Sequence, residues 1–163
     1  MAITKAQKTD ILAKVSAALT DAVSVAFVRF HKLTVADTTA MRKALKDEGV
    51  SYFVAKKTLL KRALTEAGYE GTIPELPGEV AIAWSLTDAT APARGVYAHA
   101  KKHEGLSLLG GVFEKKFMDQ GAMTAIATIP SIPVLQGMFV NVINSPIQRF
   151  AIAMSEVAKT KSA

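Results

Sequence analysis

The stretch FVAKKTLLKRAL, Phe53 to Leu64, sets Lys56, Lys57, Lys61 and Arg62 around one short segment with no acidic residue among them, and places Thr58 between the pairs. Cations beside a hydroxyl and the free amides of a helix start are groups that hold phosphate oxygens. At about 100° per residue, Leu59, Leu60, Ala63 and Leu64 share one broad arc of a helix. Lys57, Thr58, Lys61 and Arg62 fall on the opposite arc. The spacing predicts a helix that buries its leucines on a sheet and turns its cations outward. Lys57 and Lys61 repel across one turn by only a few tenths of a kcal/mol. A plain solvated face and a phosphate-binding face are therefore both open readings of this segment alone.

Other basic residues join the set. The helical pattern before it carries Arg42, Lys43 and Lys46, the turn ahead of that carries His31 and Lys32, and the first helical pattern carries Lys5 and Lys8. Converging on one surface, they would suit structured RNA held at its backbone, whose affinity comes largely from phosphate contacts. Residues 1–64 hold 12 Lys and Arg against 5 Asp and Glu, whereas residues 65–163 hold 8 against 9. This asymmetry favours an anionic partner for the first part of the chain, with a solubilising surface or a membrane surface as rivals. Tyr52 and Phe53 alternate in a strand pattern without the aromatic signature of an RNA-recognition motif. Backbone contact is thus favoured over base stacking.

No active site assembles from the remaining residues. His31, His99 and His103 are the only histidines, and no HExxH spacing occurs. His99 and His103 lie one turn apart beside Lys101 and Lys102, where exposed basic residues at a helix end are ordinary, and a metal would need further ligands. The chain has no cysteine, which excludes disulfides and thiolate metal sites. The glycines of LLGGVF match neither a phosphate-binding loop nor a dinucleotide fingerprint. The expectation is a binding protein without cofactor or metal.

The elements that must position the basic set alternate between strand and helix. A first helix is predicted over residues 4–19, and Val23–Phe30 reads as a strand. Thr34 and Asp37 mark the start of a second helix ended by Gly49, and VSYFVA is a second strand leading into the basic helix, which stops near Gly68. The turn-rich YEGTIPELPG precedes a third strand over residues 79–85. Then come a helix over about 89–103, a fourth strand bulged at Gly110–Gly111 and a short helix. This pattern predicts an α/β sandwich with a sheet of about four strands covered by helices, in a ferredoxin-like arrangement. It would occupy residues 1–130, followed by a helical extension over 131–163.

In that extension two helical segments are predicted on either side of Asn144–Ser145–Pro146. Leu135, Met138, Phe139 and Val142 form the apolar stripe of one, and Ile147, Phe150, Met154 and Val157 that of the other. Either both pack on their own domain or they offer apolar surface to a partner. Prolines 130, 133 and 146 and the polar residues nearby exclude a membrane span, and the start of the chain does not read as a secretion signal.

The order of LTVADTTAMRKALKDEGVSYFVAKKTLLKRAL, PGEVAIAWS, LLGGVFE, IPS and the closing helical tail resembles the bacterial large-subunit ribosomal protein L-ten family, from about Lys5 to Lys161. The resemblance implies a cytoplasmic, ribosome-bound protein without catalysis. Its globular domain would hold large-subunit rRNA at the base of the ribosomal stalk beside ribosomal protein L-eleven. Its tail would anchor dimers of the L-seven/L-twelve stalk protein that recruit translational GTPases. Lys56, Thr58, Lys61 and Arg62 match the family's candidate rRNA contacts, with Leu59 as a packing anchor. Two departures stand out. Lys57 replaces the family's usual asparagine, and His31–Lys32 replaces Arg–Gly before Leu33, which removes easy access to positive φ and predicts a local change in that turn. A structured-RNA or assembly protein outside the stalk is the alternative.

Overall fold

A computed structural model describes residues 5–72, 74–103 and 105–161, with the side chains of residues 5–7 also left undescribed. The chain divides into two compact units, Met1–Ile129 and Pro130–Ala163.

In the first unit the elements run α1 (Lys5–Asp21), β1 (Ser24–Phe30), α2 (Val35–Asp47), β2 (Val50–Val54), α3 (Lys57–Ala67), β3 (Glu79–Ser85), α4 (Ala91–Ala100), β4 (Leu106–Phe113), β5 (Lys116–Met118) and α5 (Gln120–Ala127). The strands form one antiparallel sheet in the order β2-β3-β1-β4-β5. β1 and β2 run parallel with β3 between them, and β3 and β4 run parallel with β1 between them. These two interleaved β-α-β crossovers are the ferredoxin-like plan, to which α3 is added between β2 and β3. The short β5, paired with β4 after a turn in which Glu114 and Lys115 both take positive φ, is a fifth strand beyond the four read from the sequence.

The two-residue strand period decides which helix covers which face. Ala26 and Val28 of β1, with Ala81 and Ala83 of β3, meet Met41 and Leu45 of α2, Val96 of α4 and Met123 of α5. Val25 and Phe27, with Val80 and Ile82, meet Val15 and Leu19 of α1 and Leu60, Ala63 and Leu64 of α3. Thus α2, α4 and α5 lie on one face, and α1 and α3 on the other. Each apolar helix stripe has a buried strand row to pack on, so β1 and β3 are apolar on both sides. Thr34 caps α2 as the sequence indicates: its hydroxyl accepts from Asp37 N at 3.1 Å and donates to the Asp37 carboxylate at 2.7 Å. Gly68 ends α3 at φ 67°, a conformation that favours glycine.

The second unit differs from the expected pair of helices. It is one helix, α6 (Ile132–Lys161), with Pro146 inside it. Proline lacks the N–H that would bond the carbonyl four residues back, here that of Val142. Ser145 donates its hydroxyl to that same carbonyl at 2.9 Å, so the group released by Pro146 keeps a partner and the helix continues. Among the described residues no single helix is long and apolar enough to cross a membrane.

Candidate nucleic-acid interface and apolar tail

α3 carries out the separation its sequence predicts. Leu60, Ala63 and Leu64 are buried and Leu59 is half-buried, while Lys57, Thr58, Lys61 and Arg62 are exposed. Lys56 occupies the N-cap position in an extended conformation, and its side chain makes no capping hydrogen bond. Neither an Asp nor a Glu stands in its first turn. Among the described residues, none of these four cations has an ion-pair partner. The positive end of the helix and the four cations therefore act in the same direction.

The topology gathers further charge beside Lys56. Phe30, Glu79 and Leu106 are level in the sheet. At this end β1 exits through His31 and Lys32, β2 exits toward Lys56, and β4 enters after Lys101, Lys102 and His103. α1 reaches its end only two residues before β1 starts, so it runs back along the sheet. Its 17 residues span about 25 Å, which brings Lys8 to the same end. Lys5 opens α1, but its side chain lies outside the described residues. From the sequence alone Lys101 and Lys102 are ordinary basic residues at a helix end. The crossover returns α4 to this end of the sheet but on the face opposite α3, where Lys101 lines a cleft with Tyr97, Gln120 and Thr124. Lys101 Nζ lies 4.8 Å from the Tyr97 ring centroid. His99 is held below the ordinary histidine value first by burial and then by Lys102 and His103, against an opposing pull from Glu48. Among the described residues no three His, Asp or Glu side chains cluster as metal ligands.

Convergence on one surface fails for Arg42 and Lys43. Both are exposed on α2, which covers the face of the sheet opposite α3. The Arg42 guanidinium lies 5.4 Å from the centroid of the Tyr52 ring, which gives it a packing role. Burial raises the Tyr52 pKa, while Arg42 opposes the rise. The sequence reading missed this separation because a charge count carries no information on which side of a sheet each helix lies.

The turn before α2 keeps the backbone that a glycine would give, despite the local change expected there. Lys32 holds φ 50°, fixed by neighbours: His31 N donates to Gly105 O at 2.7 Å, and a side chain on Gly105 would overlap the His31 carbonyl oxygen. A non-glycine residue in this region costs roughly 1–2 kcal/mol, part of which glycine returns through its freer unfolded chain. Lys32→Gly should therefore raise stability by about 0.5–1 kcal/mol, read as a higher urea midpoint at unchanged slope. A lower midpoint would show that the lysine side chain supports the turn.

In α6 no side chain is buried. Leu135, Met138, Phe139, Val142, Ile147, Phe150, Met154 and Val157 are 49–70% exposed. Ile143, absent from the sequence-derived stripes, is equally open at 61%. At about 100° per residue, Phe139 and Ile143 fall on the arc of Ile147, Phe150, Met154 and Val157. Leu135, Met138 and Val142 lie about 100° round the axis. The helix thus offers two adjoining apolar arcs, one of them continuous through Pro146.

The Ribosomal protein L10 family matches residues 3–101. The chain is 39% identical to the large ribosomal subunit protein uL10 of Shouchella clausii over 95% of its own length and 93% of that protein's. It is 38% identical to that of Pediococcus pentosaceus, covering 96% and 94%, and 34% identical to that of Staphylococcus carnosus, covering 94% and 93%. With matches of this extent running through both units, the chain belongs to the ribosomal protein L10 family.

Proposed function

We propose that this protein is a structural constituent of the large ribosomal subunit that binds large-subunit rRNA through its first unit. In this reading α6 anchors L-seven/L-twelve dimers, and so places them where translational GTPases are recruited. Residues 1–130 then serve as the RNA-holding domain and 131–163 as the anchor, with ribosomal protein L-eleven as the neighbour. The carrying observation is the exposure of α6. Thirty helical residues bury no side chain yet present a run of Ile, Leu, Met, Phe and Val. Open surface of this kind is a binding site for apolar helices. The basic end of the sheet with the α3 face supports the RNA contact, and family membership supports both.

The function is tested by asking whether one molecule joins the two partners. The full chain, mixed with large-subunit rRNA and an L-seven/L-twelve dimer, should yield a ternary complex in which the dimer co-sediments with RNA only when the chain is present. Binding of RNA with no retention of the dimer would remove the stalk role and favour the alternative, an RNA or assembly protein outside the stalk.

A further inference from the structure

We propose that Arg29 grips one backbone phosphate of the bound RNA, its guanidinium standing on the rim of the sheet between β1 and α3. The inference rests on the RNA-binding reading and extends the contact from α3 to the central strand of the sheet. Arg29 continues the β1 row of Val25 and Phe27, and both of these pack against α1 and α3. Its ladder partners are Val80 of β3 and Ser107 of β4. The backbone is thus held on both sides at this position, whereas the residue is exposed. Only β3 separates β1 from β2, the strand that leads into Lys56, and two strand spacings are about 10 Å.

The stem of Arg29 shows which way the side chain leans. A Cβ built on Gly78 would stand 3.4 Å from Arg29 Cδ and 3.6 Å from its Cγ. The stem therefore lies against the turn that enters β3. Gly78 holds φ 73°, which favours glycine and keeps that space open. The same Gly78 lines a cleft of about 440 Å³ together with Lys56 and Lys57. Arg29 thus leans from the central strand toward the two cations that start α3. A stem that only covered the end of the core would leave its charge in water, and methionine would serve as well. The head group has a use of its own. Among the described residues it has no ion-pair partner. Glu79 is level with Phe30 in the ladder, and Phe30 packs on the opposite face of the sheet, so the carboxylate faces away from Arg29. An unpaired guanidinium presents a planar fork of N–H donors that matches two phosphate oxygens, which an ammonium does not. Helical RNA keeps its base edges in a deep groove that side chains do not read, so the fork meets the backbone.

The probe is the segment of large-subunit rRNA that the full chain protects from nuclease, carrying one ethylated and hence uncharged phosphate at a time. Arg29→Met keeps a stem against Gly78 and removes the fork. It should bind the intact segment about tenfold more weakly, with the slope of log affinity against log salt reduced by about 1 in magnitude. One ethylated position that weakens wild-type binding about tenfold should make no further difference to Arg29→Met, while the other sensitive positions still do. Arg29→Lys keeps the charge, so its slope should match that of wild type, and it should bind more weakly for want of the fork. The proposal is overturned if Arg29→Met, folded by circular dichroism, matches wild type in affinity and slope, which would leave Arg29 a packing role. It is also overturned if every phosphate sensitive in wild type stays equally sensitive in Arg29→Met. Absence of any protected segment with wild-type protein is a different failure, since it removes the RNA-binding reading itself.

Discussion

Replacing Phe150 and Met154 together by aspartate should abolish capture of the L-seven/L-twelve dimer and leave RNA binding and the melting temperature of the first unit unchanged. Phe150 is 68% and Met154 56% exposed, and they lie four residues apart on the continuous apolar arc of α6. Large apolar side chains at the centre of a helix-in-groove contact each contribute about 2 kcal/mol or more. Placing two charges there adds desolvation cost, so the pair should lose at least a hundredfold in affinity, from the roughly tenfold per 1.4 kcal/mol of any binding equilibrium. The folded chain has little to lose. No α6 side chain is buried, and aspartate lowers helix propensity by only a few tenths of a kcal/mol per site. Gln148→Asp is the control, about 160° round the axis from Phe150, and should keep dimer binding within about threefold. Equal losses from the control and the double variant would show that charge anywhere on the helix is disruptive, and the apolar arc would lose its role as the anchor.

The parts of this fold legible in the sequence are those set by local period. The leucine and cation arcs of α3 were readable because a 3.6-residue repeat fixes both sides of a helix at once. Thr34 and Asp37 marked the start of α2 through cap chemistry that needs no tertiary partner. Val23–Phe30 read as a strand because its residues are rich in β-branched and aromatic types. What escaped depends on contacts distant in sequence. Lys101 and Lys102 reach the end of the sheet where Lys56 lies only through the return of α4, and they do so on the face that α2 covers. Arg42 leaves the set because α2 covers the other face. Pro146 misled for a different reason. The residue pattern shows the missing N–H but not the Ser145 hydroxyl that takes over the freed carbonyl. At Lys32 the loss of glycine was visible, yet the clamp from Gly105 that holds the same turn with a lysine was not.

Separation of the basic residues by the sheet leads to a second large effect. Lys57, Lys61 and Arg62 changed together to alanine should reduce the magnitude of the slope of log affinity against log salt by about 2 to 3, since each cation meeting a phosphate releases nearly one counterion. Affinity near physiological salt should fall by about ten- to a hundredfold, with little change in stability because all three side chains are exposed. Arg42 and Lys43 changed to alanine remove two positive charges against three, so net charge alone predicts a slope change two thirds as large. On the opposite face of the sheet, however, they cannot follow the same phosphate path as α3. That pair should leave the salt slope nearly unchanged and lower stability instead, by about 0.5–1 kcal/mol, as the guanidinium leaves the Tyr52 ring. An interface formed by α3 and the adjoining end of the sheet predicts almost no slope change for the pair, against the two-thirds share that net charge alone predicts. Salt titrations of both with the same rRNA segment decide between these cases, and parallel loss of slope would return the binding surface to a diffuse field around the whole first unit.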